Sequence, residues 1–186
     1  LYLDQNLNKI YSDNLSSLED DKGNKIDFDK FDLNLSSNIL KVVNLNLIDL
    51  EKNNFKLKDA AINLNSREVV GQDIKVFFNK SILGNVENDP RIFGNSIYDN
   101  PEETLIKKGV FTSCKFRENE KCPPWLIKSE EVKHNKKKKI IEYKNAWLNI
   151  YDIPVIYFPY ISHPDPSVER QSGFLFPSIK NSNTLG

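Results

Sequence analysis

The sequence is poor in the residues that would make several functions easy to assign. Its two histidines, His134 and His163, are too few and too far apart in sequence for a metal centre or a nucleophile constellation. Its two cysteines, Cys114 and Cys122, fit neither a CxxC redox pair nor a four-ligand zinc site, and by themselves leave the compartment open. No run approaches the roughly 20 apolar residues that a helix needs to cross a bilayer, which excludes a spanning helix. Charge of one sign is also missing. The 26 basic and 26 acidic residues cancel, so no global field draws the chain toward nucleic acid or an anionic membrane. No catalytic set emerges, and the expectation is a non-enzymatic protein without cofactor or metal. The chain opens at Leu1 with neither Met nor a basic-then-apolar leader, and the expectation is a piece of a longer protein.

What is present is a β pattern. At 186 residues with 39% hydrophobic content the chain suits one domain with a real core, even at a mean hydropathy of -0.53. Three segments share one shape: FDKFDLNL from Phe28, LKDAAINL from Leu57 and YKNAWLNI from Tyr143, each apolar at its first, fourth, sixth and eighth positions. The first two start 57 − 28 = 29 residues apart, as an internal structural repeat would. Within each segment the alternation has period two, but its parity switches once, between Phe28 and Phe31, Leu57 and Ala60, and Tyr143 and Ala146. A strand whose inward set changes parity needs a bulge, an extra residue or a corner.

Turn-like clusters such as DDKGNK, DLEKNN and HNKKKK separate the apolar segments, and no long window holds a 3.6-residue period. Strands are expected at about 25–35, 39–49, 55–64, 68–79, 125–134 and 139–151. The run Lys136 to Lys139 reads as a solvated hairpin tip. Gly71, Gly94 and Gly109 are expected at bends or close backbone approaches. The fold class is all-β and jelly-roll-like.

The stretch IPVIYFPYISHPDPSVERQSGFLFPS, from Ile153 to Ser178, is different in kind. Pro154, Pro159, Pro164 and Pro166 fix their own φ angles and remove backbone donors, which rules out a helix or a central strand. It reads as an extended, rigid connector whose apolar side chains still need a surface to cover them.

From about Ala60 onward the chain resembles the LptD family, the outer-membrane lipopolysaccharide assembly proteins also called organic solvent tolerance protein or OstA. The residues that carry the resemblance are INLNSREVVGQDIKVFF (62–78), NDPRIFGNSI (88–97), KGVFTSCKFRENEKCPPW (108–125) and, most specifically, YFPYISHPDPSVERQSGFLFPS (157–178). The resemblance implies a twisted, V-shaped β-jelly roll over residues 1–152, lying in the periplasm. Residues 153–186 would then be the hinge and the start of a transmembrane β-barrel, with Pro154, Pro159, Pro164, Pro166, Arg170 and Gly173 on the hinge motif. It further implies lipopolysaccharide as ligand, the bridge protein LptA as partner through edge-strand pairing, and the plug lipoprotein LptE inside the barrel. Nucleic acid is not among the expected partners. The expected location is the periplasmic face of the outer membrane in a Gram-negative cell.

Two sets of residues are singled out on this basis. An apolar groove for acyl chains is expected along Ile62, Leu64, Val69, Ile74, Val76, Ile141, Tyr143, Leu148 and Ile150, with Ala146 sharing their face and Trp147 pointing away. The same faces read more simply as core. Cys114 matches a family cysteine that is bridged to the far end of the barrel, and in this chain Cys122 is an available local partner for a disulfide. The competing account is a secreted, adhesin-like or carbohydrate-binding β-sandwich, whose tail folds back so that Tyr157, Phe158 and Phe174 are buried.

Overall fold

Each long strand is delimited by a side chain that captures its own turn. Asn34 Oδ1 accepts from the amides of Ser36 and Ser37 at 3.0 and 2.9 Å, and Asn63 Oδ1 accepts from those of Asn65 and Ser66 at 2.9 and 3.1 Å. Asp4, Asn100 and Asn135 close hairpins in the same way. This is the local hydrogen bonding that makes Asn and Asp turn formers. Four of these turns end on a left-handed residue, Asn8, Asn38, Arg67 or Lys139, with φ between 51° and 59°. The turns at Asn34 and Asn63 are 63 − 34 = 29 residues apart, which is the repeat read from the apolar pattern. The lysine run 136–139 forms one of these tips.

The computed structural model describes residues 2–19, 23–80, 88–115, 123–165 and 168. Every complete regular element among them is a β-strand, and Lys80 has 3₁₀ geometry where one described stretch ends. They are β1 (Tyr2–Asp4), β2 (Lys9–Ser12), β3 (Ser16–Glu19), β4 (Lys25–Phe28), β5 (Lys30–Asn34), β6 (Ile39–Ile48), β7 (Asn54–Asn63), β8 (Glu68–Phe77), β9 (Arg91–Asp99), β10 (Glu103–Thr112), β11 (Trp125–Asn135), β12 (Ile140–Ile150) and β13 (Ile153–Pro164). All pairings are antiparallel within one sheet, and from β5 onward each strand pairs with its successor. The expected all-β, jelly-roll-like domain therefore forms as one sheet folded over on itself. The sequence reading did not anticipate β1, β2, β3, β9 or β10, and the one strand it expected at 25–35 is divided at Asp29 into β4 and β5, both paired to β6.

The fold line explains the parity switch. Every strand from β6 to β12 carries two consecutive outward residues at mid-strand, such as Val43–Asn44, Lys58–Asp59, Gln72–Asp73, Lys107–Lys108 and Lys144–Asn145. No residue is inserted there. The register of β6 on β7, for instance, runs unchanged from Val43↔Asp59 to Leu45↔Leu57, with only the corner pair skipped. Alternate strands instead place one left-handed residue at the corner: Asn44 (φ 54°), Asp73 (φ 52°), Lys108 (φ 51°) and Asn145 (φ 50°). Asn and Asp tolerate this region best, and two of the corners are tied by side chains. Asn44 Nδ2 donates to Asp29 at 2.7 Å and Asn145 Nδ2 to Glu130 at 2.6 Å.

Inside the crease, the two rows of residues that flank it are complementary in size. On one arm the ladder reads Val42, Ala60, Gly71, Ile97, Ile106, Val132, Tyr143, Ile161. On the other arm, in the same registers, it reads Leu45, Leu57, Ile74, Gly94, Gly109, Ser129, Ala146, Phe158. From β7 to β12, each strand pairs one small with one large residue across the fold line. The fit is tight. A Cβ added to Gly71 would lie 2.2 Å from Leu57 Cδ2, one on Gly94 2.2 Å from Ile106 Cγ2, and one on Gly109 2.5 Å from Val132 Cγ2. The three glycines are thus close approaches, as expected, and what they admit is a side chain from the opposite arm.

β13 closes one edge of the sheet along β12. Its prolines occupy places that need no amide: Pro159 sits at the skipped corner pair opposite Asn145, and Pro154 adjoins the register shift at Leu148/Asn149. The segment expected as an extended connector is extended, and over residues 153–164 it is an edge strand. Its far end is held by His163. His163 is buried, stacks on Tyr143 at 5.5 Å, and its Nε2 lies 3.2 Å from the Tyr143 hydroxyl. Its Nδ1 lies 2.7 Å from the Pro164 carbonyl oxygen, so Nδ1 donates and Nε2 accepts in the neutral ring. His134 Nε2 is 2.7 Å from Asp165 Oδ2. Burial lowers the His163 pKa, partly offset by its hydrogen bond to Pro164 and by the Asp165 charge.

Two outcomes are expected. Gly94→Ala presses its methyl against Ile106, Ile74 and the Lys107 carbonyl at once. It should cost about 1–3 kcal/mol in urea unfolding, with Ile106→Ala restoring part of the loss in the double variant. Because His163 titrates lower in the folded chain than in the unfolded one, its contribution is complete above the unfolded pKa of about 6.5 and is lost as pH falls below it. The melting temperature of His163→Gln should therefore fall less steeply than that of the unmodified chain as pH drops through that window.

Candidate functional site

The inner face of the folded sheet gathers most of the residues expected to form a groove. Ile74, only 1% exposed, Val76 and Tyr143 lie within the central cluster, close to the crease. Ile62, Ile141 and Leu148 pack against that cluster from positions further out, and Val69 and Ile150 are half-buried. Leu64 is the outlier: it lies past the end of β7 and is 48% exposed. The strand at the carboxyl side shows the parity cleanly. Ala146 is fully buried and Leu148 turns inward, while Trp147 between them is 43% exposed and meets Tyr157 on the opposite face at 5.0 Å.

Half of this inner face escaped the sequence reading. Ile92, Ile97, Ile106, Phe111, Trp125 and Val132 complete the core from β9, β10 and β11. The signal was there in disguise: Ile106, Gly109 and Phe111 have the spacing of the repeat, with glycine at the second position. A search for apolar residues skips a glycine that is present because its neighbour is large.

Two open depressions of about 610 and 750 Å³ lie on the sheet. Their walls are mainly outward residues, and Ile74 is the one groove candidate that touches either. Close to the crease, Ile74, Val76, Ile106, Val132, Tyr143 and Ala146 belong to one buried cluster. The Tyr143 hydroxyl, pushed well above its ordinary pKa by burial, stays protonated and is supplied with an acceptor by His163.

Cys114 is a half-buried free thiol with Sγ 3.6 Å from the Trp125 carbonyl oxygen. Its own carbonyl accepts from the Arg91 guanidinium at 2.6 Å, which also reaches the Asp89 carbonyl at 2.9 Å. Burial lowers the pKa of that guanidinium. Cys122 lies outside the described residues, as do Pro166, Arg170, Gly173 and Phe174 of the hinge motif. Within β13 the side chains divide by face: Phe158 and Ile161 pack on the core, whereas Tyr157 is 44% exposed and Ile153, Val155, Ile156 and Tyr160 are also exposed. Among the described residues no group of three or more His, Cys, Asp or Glu is arranged to hold a metal ion.

No protein-family model matches the chain. Curated relatives do. LPS-assembly protein LptD of Shewanella sp. (strain MR-4) is 35% identical over 102 residues, 51% of this chain and 13% of that protein. LptD of Yersinia pestis bv. Antiqua (strain Antiqua) is 35% identical over 88 residues, 47% of this chain and 11% of the relative. LptD of Shewanella denitrificans is 44% identical over 69 residues, covering 35% and 9% respectively. The matched part of this chain thus spans about an eighth of the length of these relatives or less. Similarity at this level to LptD from several bacteria, in a chain whose fold is all-β and jelly-roll-like, identifies about half of it as an LptD-like segment.

Proposed function

We propose that this chain is the periplasmic, non-enzymatic portion of an outer-membrane lipopolysaccharide translocon, which takes lipopolysaccharide into an apolar groove between its arms and passes it to a barrel. The observation that carries the reading is the continuous inward stripe from Val42 to Ile161, to which each strand contributes one parity of its residues. The names of the LptD relatives supply the ligand. Acyl chains enter at the mouth, along Ile62, Leu64, Val69, Ile141, Leu148 and Ile150, and the arms part as the chains approach Ile74, Val76 and Tyr143. Each buried CH₂ contributes about 0.8 kcal/mol without direction. A lipid held in this way slides without breaking a specific bond.

The remaining roles follow from position. β13 and the residues after it lead toward the barrel, with LptE as its plug, so the edge formed by β1 and β3 is the one open to LptA. Backbone pairing there extends the groove from one protein into the next. Cys114 and Cys122 form a local disulfide when oxidised.

A second reading, a self-contained secreted β-sandwich with an adhesin-like role, draws on the packing of Phe158 and Ile161 against the core. Photocrosslinking in intact cells separates the two. With probes placed in turn at Leu148 and Trp147 of the full-length protein, lipopolysaccharide should be captured from Leu148 alone. Capture from Trp147 alone would reverse the face assignment, and capture from neither in a correctly assembled protein would favour the structural reading.

A further inference from the structure

The outer face of the sheet, opposite the groove, carries lysines without counter-ions. Lys56 of β7 stands directly across the ladder from Lys75 of β8, and Lys58 lies on the same face one step nearer the crease. Like charges directly opposite each other destabilise a sheet. Several lysines elsewhere on the outer face are paired, Lys107 and Lys144 sharing Glu131 and Lys133 meeting Glu103, whereas Lys56 and Lys75 are the two that stand directly opposite each other. Among the described residues no carboxylate oxygen lies within 4.0 Å of Lys56, Lys58 or Lys75. The three lysines line the 750 Å³ depression together with Asn46, Asn54 and Phe93; Asp73 is its one acidic residue.

A second feature of the same depression concerns its acceptors. Asn46 Oδ1 and Asn54 Oδ1 are both shielded from water and, among the described residues, accept no hydrogen bond. A buried acceptor without a donor carries an uncompensated desolvation cost. Lys56 Nζ lies over the Phe77 ring at 5.9 Å, and the partners the site still lacks are of two kinds: anionic oxygens for the ammonium groups and hydroxyl donors for the amide oxygens. Phe93, packed edge-on against Phe77 at 5.8 Å, adds an apolar surface beside them.

We propose that this depression binds a phosphorylated saccharide, with its phosphate between Lys56 and Lys75 and its hydroxyls on Asn46 and Asn54. The depression is open, with a volume of about 750 Å³. Lysine is suited to phosphate as a point charge. Because both oxygens are shielded in this structure, the proposal requires a turn about χ2, the soft torsion of asparagine, to present them to the ligand. The site lies on the opposite face from the groove, so either assignment can fail without the other.

The test is thermal stability and calorimetric binding of the chain at fixed ionic strength, with chloride replaced by inorganic phosphate and then by glucosamine 6-phosphate. Without ligand, Lys75→Gln should raise the melting temperature by relieving the repulsion. Both phosphates should stabilise the unmodified chain, the sugar phosphate more so. The Lys56→Gln/Lys75→Gln variant should bind about tenfold more weakly or worse. Asn46→Ala should abolish the preference for the sugar. Phosphatidylcholine vesicles containing lipid A distinguish the source. Vesicle binding that glucosamine 6-phosphate competes away assigns a lipid headgroup, and binding of the soluble sugar phosphate alone assigns a free ligand. Equal stabilisation of the unmodified chain and the double-lysine variant, or of neither, overturns the proposal.

Discussion

Everything in this fold depends on closing a crease in a single sheet. Two arms of a folded sheet approach most closely at the fold line, and from β7 to β12 no strand sets two large side chains across it. The chain meets this constraint strand by strand, with Gly71 admitting Leu57, Gly94 admitting Ile106 and Gly109 admitting Val132. Ser129 and Ala146 continue the small side of the row toward β13. The large partners sit on one arm at β7 and β8, as Leu57 and Ile74, and on the other from β9 to β12, as Ile97, Ile106, Val132 and Tyr143, so the crease is filled and not merely thinned.

The same constraint sets the outer surface. Two consecutive residues point outward at each corner, and most of them are charged or polar: Lys58 and Asp59, Lys107 and Lys108, Lys144 and Asn145. One face of the molecule is thereby committed to packing and the other to water and ion pairs. Lys107 and Lys144 both bond to Glu131, holding its carboxyl below the usual carboxylate range. The lysines around Asn46 and Asn54 depart from that arrangement, with Lys56 directly across the ladder from Lys75.

Further from the crease the inner face loosens. Ile74 and Ala146 are sealed, while Leu148 and Ile161 are only partly covered and Ile156 is exposed. A gradient from sealed apex to half-open mouth is what a groove that admits alkyl chains by parting its arms requires, and it is also what a core thinning toward its rim looks like. The link to LptD rests on sequence similarity over about half the chain, and the parity of β12 turns that link into a statement about individual side chains.

The sequence alone determined the strand pattern of β4 to β8, β11 and β12, the repeat and the parity switch, because period-two alternation and Asx turns are local. It also placed the prolines away from any central strand. It did not reveal how the parity switch is made: no residue is inserted, and left-handed corners on alternate strands do the work. Nor did it reveal β9 and β10 as core strands, since Gly94 and Gly109 interrupt the apolar count that would have marked them. Their role is defined only by Ile106 and Val132, side chains from neighbouring strands. A small residue at a crease is legible only when the side chain that fills its space is known, and that pairing exists in the tertiary structure.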